Sequence, residues 1–80
     1  MRILFFGKLR DSLGDERELA AEPGETVAAL RRRLADLHPA AAADLMSPRL
    51  RACVEDVIVG EDFVVAGHDR VELLPPLSGG

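Results

Sequence analysis

The 80-residue sequence has few cysteines, few aromatic residues and no long apolar run. Its single cysteine, Cys53, excludes an internal disulfide, and no Cys/His cluster has the spacing of metal ligands. Because its only aromatic residues are 3 phenylalanines, the core has to be aliphatic. No apolar run is long enough for a signal peptide or a membrane span, so the sequence predicts a cytoplasmic protein without a membrane partner.

What remains is the composition of one small soluble domain, with 48% apolar and 30% charged residues. The net charge of −4 is unevenly placed, because residues 52–80 carry six acidic side chains against Arg70 alone. This acidity argues against nucleic acid as a partner. It predicts a tail beside an acidic surface that is steered toward a basic partner face, or else only a well-solvated surface.

Apolar periodicity predicts five strands and one main helix. The strands are expected at residues 2–7, 17–21, 50–55, 57–59 and 70–74. The first of them is apolar on both faces, and 80 residues rarely cover both faces of a sheet. We therefore expect one of its faces to form an interface.

The main helix is predicted to begin after Thr26, a favourable N-cap residue, and to end near His38. Its apolar stripe consists of Val27, Leu30, Leu34 and Leu37, at spacings of three and four. The three arginines at 31–33 lie mostly off this stripe. They favour a solvated helix face over a nucleic-acid patch.

A helix that follows a hairpin buries its stripe against one face of a mixed sheet. This α+β arrangement matches the β-grasp, or ubiquitin-like, roll, with four to five strands packed on one main helix. The first and last strands are expected to lie parallel and adjacent at its centre. The domain is predicted to span residues 1–75, with a flexible tail at 76–80, and its core to contain Ile3, Phe5, Leu30, Leu34 and Val71.

The tail combines two prolines with a Gly-Gly ending. Pro75 and Pro76 cannot donate to a strand ladder, so the chain is expected to leave the sheet in an extended direction. Gly79 and Gly80 lack Cβ atoms, which makes the end thin enough to enter a narrow channel. Chemistry at this end would have to use the α-carboxylate of Gly80, which would first need activation, for example as an acyl-adenylate. An inert, disordered terminus is the competing interpretation.

Both ends of the chain resemble the MoaD family, the small subunit of molybdopterin synthase. The similarity lies in RILFFGKLR at residues 2–10 and in DRVELLPPLSGG at residues 69–80, and the start of the helix also fits. The sequence departs from the family pattern at Leu73 and Leu74, where a phenylalanine pair is common. It also departs at Glu55, where an asparagine is usual, and at His68, where a glycine is usual.

This resemblance implies a sulfur carrier. An E1-like enzyme would use ATP to adenylate Gly80, and a sulfur donor would convert it to a thiocarboxylate. The large subunit of molybdopterin synthase, in a heterotetramer with the carrier, would use that sulfur to build the dithiolene of molybdopterin. The carrier itself would bind no cofactor or metal. Because the sequence has no Gly-rich phosphate loop, ATP would be bound by the activating partner. The residues implied to contact partners are Phe6, Leu74, Pro75, Pro76, Leu77, Ser78 and Gly79.

Three alternatives stay open from the sequence. The chain is a protein modifier joined through Gly80 to a lysine, a sulfur carrier for another pathway such as thiamine synthesis, or an interaction domain with an inert tail. A self-contained enzyme is disfavoured, because Cys53 lies in a predicted strand without a base near it in sequence. Such a cysteine is usually a small buried or half-buried residue.

Overall fold

The computed structural model describes residues 1–75 and contains five strands and three short or medium helices. The helices are α1 (Lys8–Leu13), α2 (Val27–Leu37) and α3 (Ala42–Leu45), the last preceded by a 3-10 turn at Pro39–Ala41. The strands are β1 (Arg2–Phe5), β2 (Glu16–Glu18), β3 (Arg51–Val54), β4 (Val57–Val59) and β5 (Arg70–Leu74).

The strands form one mixed sheet in the order β2-β1-β5-β3-β4. The central strand β5 pairs in parallel with β1, with Ile3 opposite Val71 and Phe5 opposite Leu73. On its other side β5 pairs antiparallel with β3. The predicted parallel neighbours at the centre of a β-grasp sheet are therefore confirmed.

Alternation along the two central strands places one set of side chains against the helices. All five side chains predicted for the core are at most 1% exposed. They pack with apolar residues of α1, α2, α3 and β3 into a single cluster. Burial of each large aliphatic or aromatic side chain contributes about 1.5–3 kcal/mol, so this cluster is the main source of stability.

The bounds of α2 agree with the prediction, and the side chain of Thr26 caps it. The Ala29 backbone N–H donates to Thr26 Oγ1 at 3.2 Å, and His38 is the C-cap residue. For one residue of the stripe the predicted burial is wrong, because Leu37 is 55% exposed. It lies in the last turn of the helix, beyond the buried cluster.

The expectation of a solvated arginine face holds only for Arg32 and is wrong for its two neighbours. Arg31 is 5% exposed, and its guanidinium donates to the Leu45 and Ser47 carbonyls. It also pairs with Glu61, with Nη1 2.8 Å from Oε1. These three partners come from distant parts of the chain, so helical spacing alone gave no sign of them.

Arg33 is the second arginine whose predicted exposure is wrong. Its Nε and Nη2 atoms lie 2.9 and 2.8 Å from the two carboxylate oxygens of Glu25. Glu25 is itself only 5% exposed. The ion pair ties the start of α2 to its middle, and the buried carboxylate is compensated by a bidentate contact.

Two turns show what the departures from the family pattern do to the backbone. Glu55 and Asp56 form the two-residue turn between β3 and β4 with φ values of 52° and 65°. In the turn before β5 the positive φ of 93° belongs to Gly67. His68 therefore avoids the backbone strain that a non-glycine residue would carry in the left-handed conformation.

Candidate functional site

The candidate site is the edge of the sheet where β1 and β5 end side by side. Because the two strands are parallel, Phe6 and Leu74 follow the paired residues Phe5 and Leu73 at this edge. The chain then reaches Gly7 on one strand and Pro75 on the other.

The contact between Gly7 and Pro75 fixes the geometry of this edge. Gly7 has φ +61°, and a Cβ atom at this position would lie 2.9 Å from Pro75 Cγ. Glycine is needed here both for the backbone conformation and for the close approach. Gly7 was not among the predicted site residues, and its only signal in the sequence was a glycine directly after an apolar strand.

The structure brings together three of the predicted partner-contacting residues. Phe6, Leu74 and Pro75 are all half-buried at the same edge of the sheet. The other predicted site residues lie outside the described residues: Pro76, Leu77, Ser78, Gly79 and Gly80. Their roles stay predictions.

The outer face of the sheet, opposite the helices, carries a row of side chains across four strands. Cα pairing places Leu4 beside Glu72, Glu72 beside Cys53, and Cys53 beside Ile58. Leu4 and Glu72 are half-buried, and Ile58 is 54% exposed. The second apolar side of β1 is therefore left partly accessible by the described residues.

Cys53 is buried in this row and is unsuited to nucleophilic chemistry. Burial raises the pKa of its thiol, and the carboxylates of Glu72 and Asp56 raise it further. Since the thiolate is the reactive form, Cys53 stays protonated near neutral pH. This agrees with its interpretation as a small apolar residue.

The charge around the base of the tail differs from the expectation. Pro75 lines a cleft of about 240 Å³ whose charged residues are Lys8, Arg49 and Asp44. Arg51 lies directly across from Leu74 on β3. Three of these four charged residues are basic, so the described surface around Pro75 and Leu74 is more basic than the sequence led us to expect.

Three of the six acidic side chains of residues 52–80 lie toward the opposite end of β5. Glu55, Asp69 and Glu72 line a cleft of about 200 Å³ together with His68 and Arg70. Because β3 runs antiparallel to β5, its turn with Glu55 comes next to the start of β5 and far from Pro75. A count of charges along the sequence does not show this separation.

Residues 1–75 contain no group of three or more His, Cys, Asp or Glu side chains placed to hold a metal ion. Within the same part of the chain, no helix has the length and apolar character needed to cross a membrane.

Comparison with known proteins shows to which family this sequence belongs. The chain matches the ThiS family over residues 3–80. It is 31% identical over 80 residues to the molybdopterin synthase sulfur carrier subunit of Escherichia coli (strain K12), covering 100% of this chain and 99% of that protein.

Two solved structures share the fold. SAMP1 from Haloferax volcanii superposes with a TM-score of 0.75 at 19% identity, covering 99% of this chain and 97% of its own. A Pyrococcus furiosus protein described as molybdopterin converting factor, subunit 1, gives a TM-score of 0.79 at 20% identity, with 95% of each chain covered. These likenesses confirm the β-grasp fold, and the match over residues 3–80 shows that the chain belongs to the ThiS family of ThiS/MoaD-like proteins.

Proposed function

We propose that this chain is a cytoplasmic sulfur carrier that serves molybdopterin synthase. The full-length similarity to the sulfur carrier subunit of that enzyme supports the proposal. The structural observation that carries it is the contact of Pro75 with Gly7 at the end of the central strand pair. This contact anchors the base of a tail that ends in two glycines.

The chemistry would take place at the Gly80 carboxylate, outside the domain. A carboxylate is a poor electrophile at neutral pH, so an E1-like partner would first join it to AMP from ATP, releasing pyrophosphate. A sulfide-level sulfur from the donor would then attack the acyl carbon and displace AMP, which leaves a thiocarboxylate. Conversion replaces an oxygen by sulfur, a softer and better nucleophile.

The tail would deliver this sulfur into the large subunit of molybdopterin synthase for dithiolene formation, within a heterotetramer. Five residues follow Pro75, and they reach at most about 17 Å beyond it. The domain must therefore dock closely against its partner. Phe6 and Leu74, half-buried at the edge from which the tail starts, are proposed to make apolar contacts there.

The first test is the intact mass of the protein after incubation with the activating enzyme, ATP and a sulfur source. We expect a species heavier by one oxygen-to-sulfur exchange, located on the C-terminal peptide. Detection of only the carboxylate under these conditions would overturn the proposal.

A chain extended by one residue beyond Gly80 is the matched control. Extension leaves the described domain unchanged, so its thermal unfolding should equal that of the original chain. It should accept no sulfur, because its activated group would no longer be the glycine carboxylate. Normal sulfur transfer from the extended, unprocessed chain would also contradict the mechanism.

The ubiquitin-like fold favours a protein modifier as the second candidate. Activation by adenylation would be shared, and the product would be an isopeptide bond to a lysine instead of a thiocarboxylate. Lys8 is the single lysine of this chain, so conjugates with other proteins would be readily distinguished from self-conjugates. Conjugates without a thiocarboxylate would favour this candidate.

The ThiS family match also keeps open a carrier for another pathway, such as thiamine synthesis. This carrier would give the same mass shift, so the recipient needs its own test. Purified thiocarboxylate should support dithiolene formation with the large subunit of molybdopterin synthase. Sulfur transfer only to a thiamine precursor would assign the carrier to the other pathway.

A further inference from the structure

We propose that a basic collar, formed by Lys8, Arg49 and Arg51 around the base of the tail, docks against an acidic rim on the partner protein that receives the tail. The inference rests on the proposed function only in requiring such a partner. It adds the chemistry of the docking surface, and it reverses the basic partner face expected from the sequence.

Two of the three cations lie in the cleft of Pro75, and the third lies on the strand beside Leu74. Lys8 and Arg49 are exposed and line the same cleft as Pro75. Arg51 is exposed on β3 across from Leu74, and its Nη1 atom donates to the Pro48 and Leu50 carbonyls at 3.0 and 3.2 Å. These bonds hold its guanidinium at the tail end of the sheet.

None of the three forms an ion pair with a residue between 1 and 75, whereas Arg2, Arg10, Arg31 and Arg33 all do. The nearby carboxylates do not cancel the collar. Asp44 lines the same cleft as Lys8 and Arg49, so in that cleft one acidic side chain faces two basic ones. Glu61 lines a cleft with Arg51, but its carboxylate is already paired with Arg31 at 2.8 Å.

Because the collar is positively charged, we expect its partner to be a protein with carboxylates around its tail-binding channel. A second copy of this chain docked collar to collar would bring like charges together, which is repulsive. A nucleic acid would match the collar locally. However, its long polyanion would also meet the rest of a chain whose net charge is −4.

Exposed charges at the rim of an interface act mainly on the rate of association. Steering of this kind changes association rates by about tenfold or more at low ionic strength. The effect falls at high salt, because the Debye length shrinks from about 30 Å at 0.01 M to about 3 Å at 1 M. A salt-dependent association rate is therefore the signature of the collar.

The test compares Arg49→Glu with Arg70→Glu, which makes the same change in net charge toward the opposite end of β5. Both arginines are exposed and neither has an ion pair within residues 1–75. The probes are the purified large subunit of molybdopterin synthase and the E1-like adenylating enzyme, each mixed with the full-length chain at low and high salt.

We expect Arg49→Glu, and separately Lys8→Glu, to associate about tenfold more slowly at low salt and within about twofold of the original chain at high salt. Arg70→Glu should slow association by no more than about twofold at low salt, because its charge change lies away from the docking surface. Equal slowing by both kinds of variant would show an effect of net charge alone and overturn the collar. Faster association of the collar variants would show a basic rim and overturn it as well.

The mass measurement separates this inference from the proposed function. A chain that gains a thiocarboxylate but shows no difference between Arg49→Glu and Arg70→Glu would contradict only the collar. A chain that gains none contradicts the proposed function, whatever the association rates are. An original chain that binds neither probe overturns the collar directly.

Discussion

Gly7 and Pro75 approach each other so closely that a single methyl group on Gly7 would contact the proline ring at 2.9 Å. The turn after the first strand is thus shaped by the residue that follows the last strand. This relationship links the most N-terminal turn of the domain to the base of the tail.

Replacement of Gly7 by alanine should destabilise the protein by about 2–3 kcal/mol, because it adds a steric contact to an unfavourable positive φ. Gly24→Ala is the matched control. Gly24 also has a positive φ, of 70°, but open space around a Cβ atom. Gly24→Ala should lower the free energy of unfolding by about 1 kcal/mol. Urea denaturation measures both, and equal losses would show that the Pro75 contact contributes nothing.

Arg33 contributes to the stability of the fold because it pairs with the buried Glu25. Arg33→Ala should lower the free energy of unfolding by about 2–3 kcal/mol, since it leaves a buried carboxylate without its bidentate partner. The neighbouring and exposed Arg32 supplies the control, and Arg32→Ala should stay within about 0.5 kcal/mol. Chemical denaturation of the two variants measures these losses. Similar midpoints would contradict a stabilising role for the Arg33–Glu25 ion pair.

The raised pKa of the Cys53 thiol predicts a loss of stability at alkaline pH. The unfolded chain releases this proton near the ordinary thiol pKa of about 8.5, whereas the folded chain holds it to higher pH. Above that pH the folded state binds more protons, so the free energy of unfolding falls as pH rises until the folded pKa is passed.

Cys53→Ala should remove the part of this fall in the free energy of unfolding that the thiol causes at alkaline pH. The comparison is made by urea denaturation of both proteins between neutral and alkaline pH. Identical slopes in the original chain and the variant would mean that the thiol does not titrate differently in the two states.

The turn between β3 and β4 offers a stabilising change. Both of its residues have positive φ, a conformation that favours Asn-Gly. Asp56→Gly should therefore raise the free energy of unfolding by about 0.5–1 kcal/mol, because it relieves left-handed strain. The same replacement at Asp62, which lacks a positive φ, should not stabilise. A thermal melt in which Asp62→Gly gains as much would refute the argument.

Apolar periodicity predicted the order of the five strands and the main helix and the five chosen core residues. The parallel central strands were predicted from the β-grasp arrangement that this order matches. The sequence did not predict the burial of Arg31, whose partners Leu45, Ser47 and Glu61 come from other elements. It also placed Leu37 on the apolar stripe of the helix, because a repeat of three and four continues past the point where the buried cluster ends.

For the candidate site, the sequence indicated Phe6, Leu74 and Pro75, which the structure brings to one edge. It missed Gly7, whose role depends on a contact between the two ends of the chain. The count of acidic residues near the C-terminus was correct, but strand direction sends Glu55 and Asp69 away from the tail. Charge placement is a property of topology, which a linear count does not contain.

The position of β5 in the sheet has a consequence for chains cut short. β5 joins β2 and β1 on one side to β3 and β4 on the other. A product of premature termination or proteolysis that ends before Arg70 would lack both the joining strand and the tail beyond it. Its partners would then meet either a folded domain with its tail or a broken sheet, so incomplete chains should not compete with intact carriers for docking.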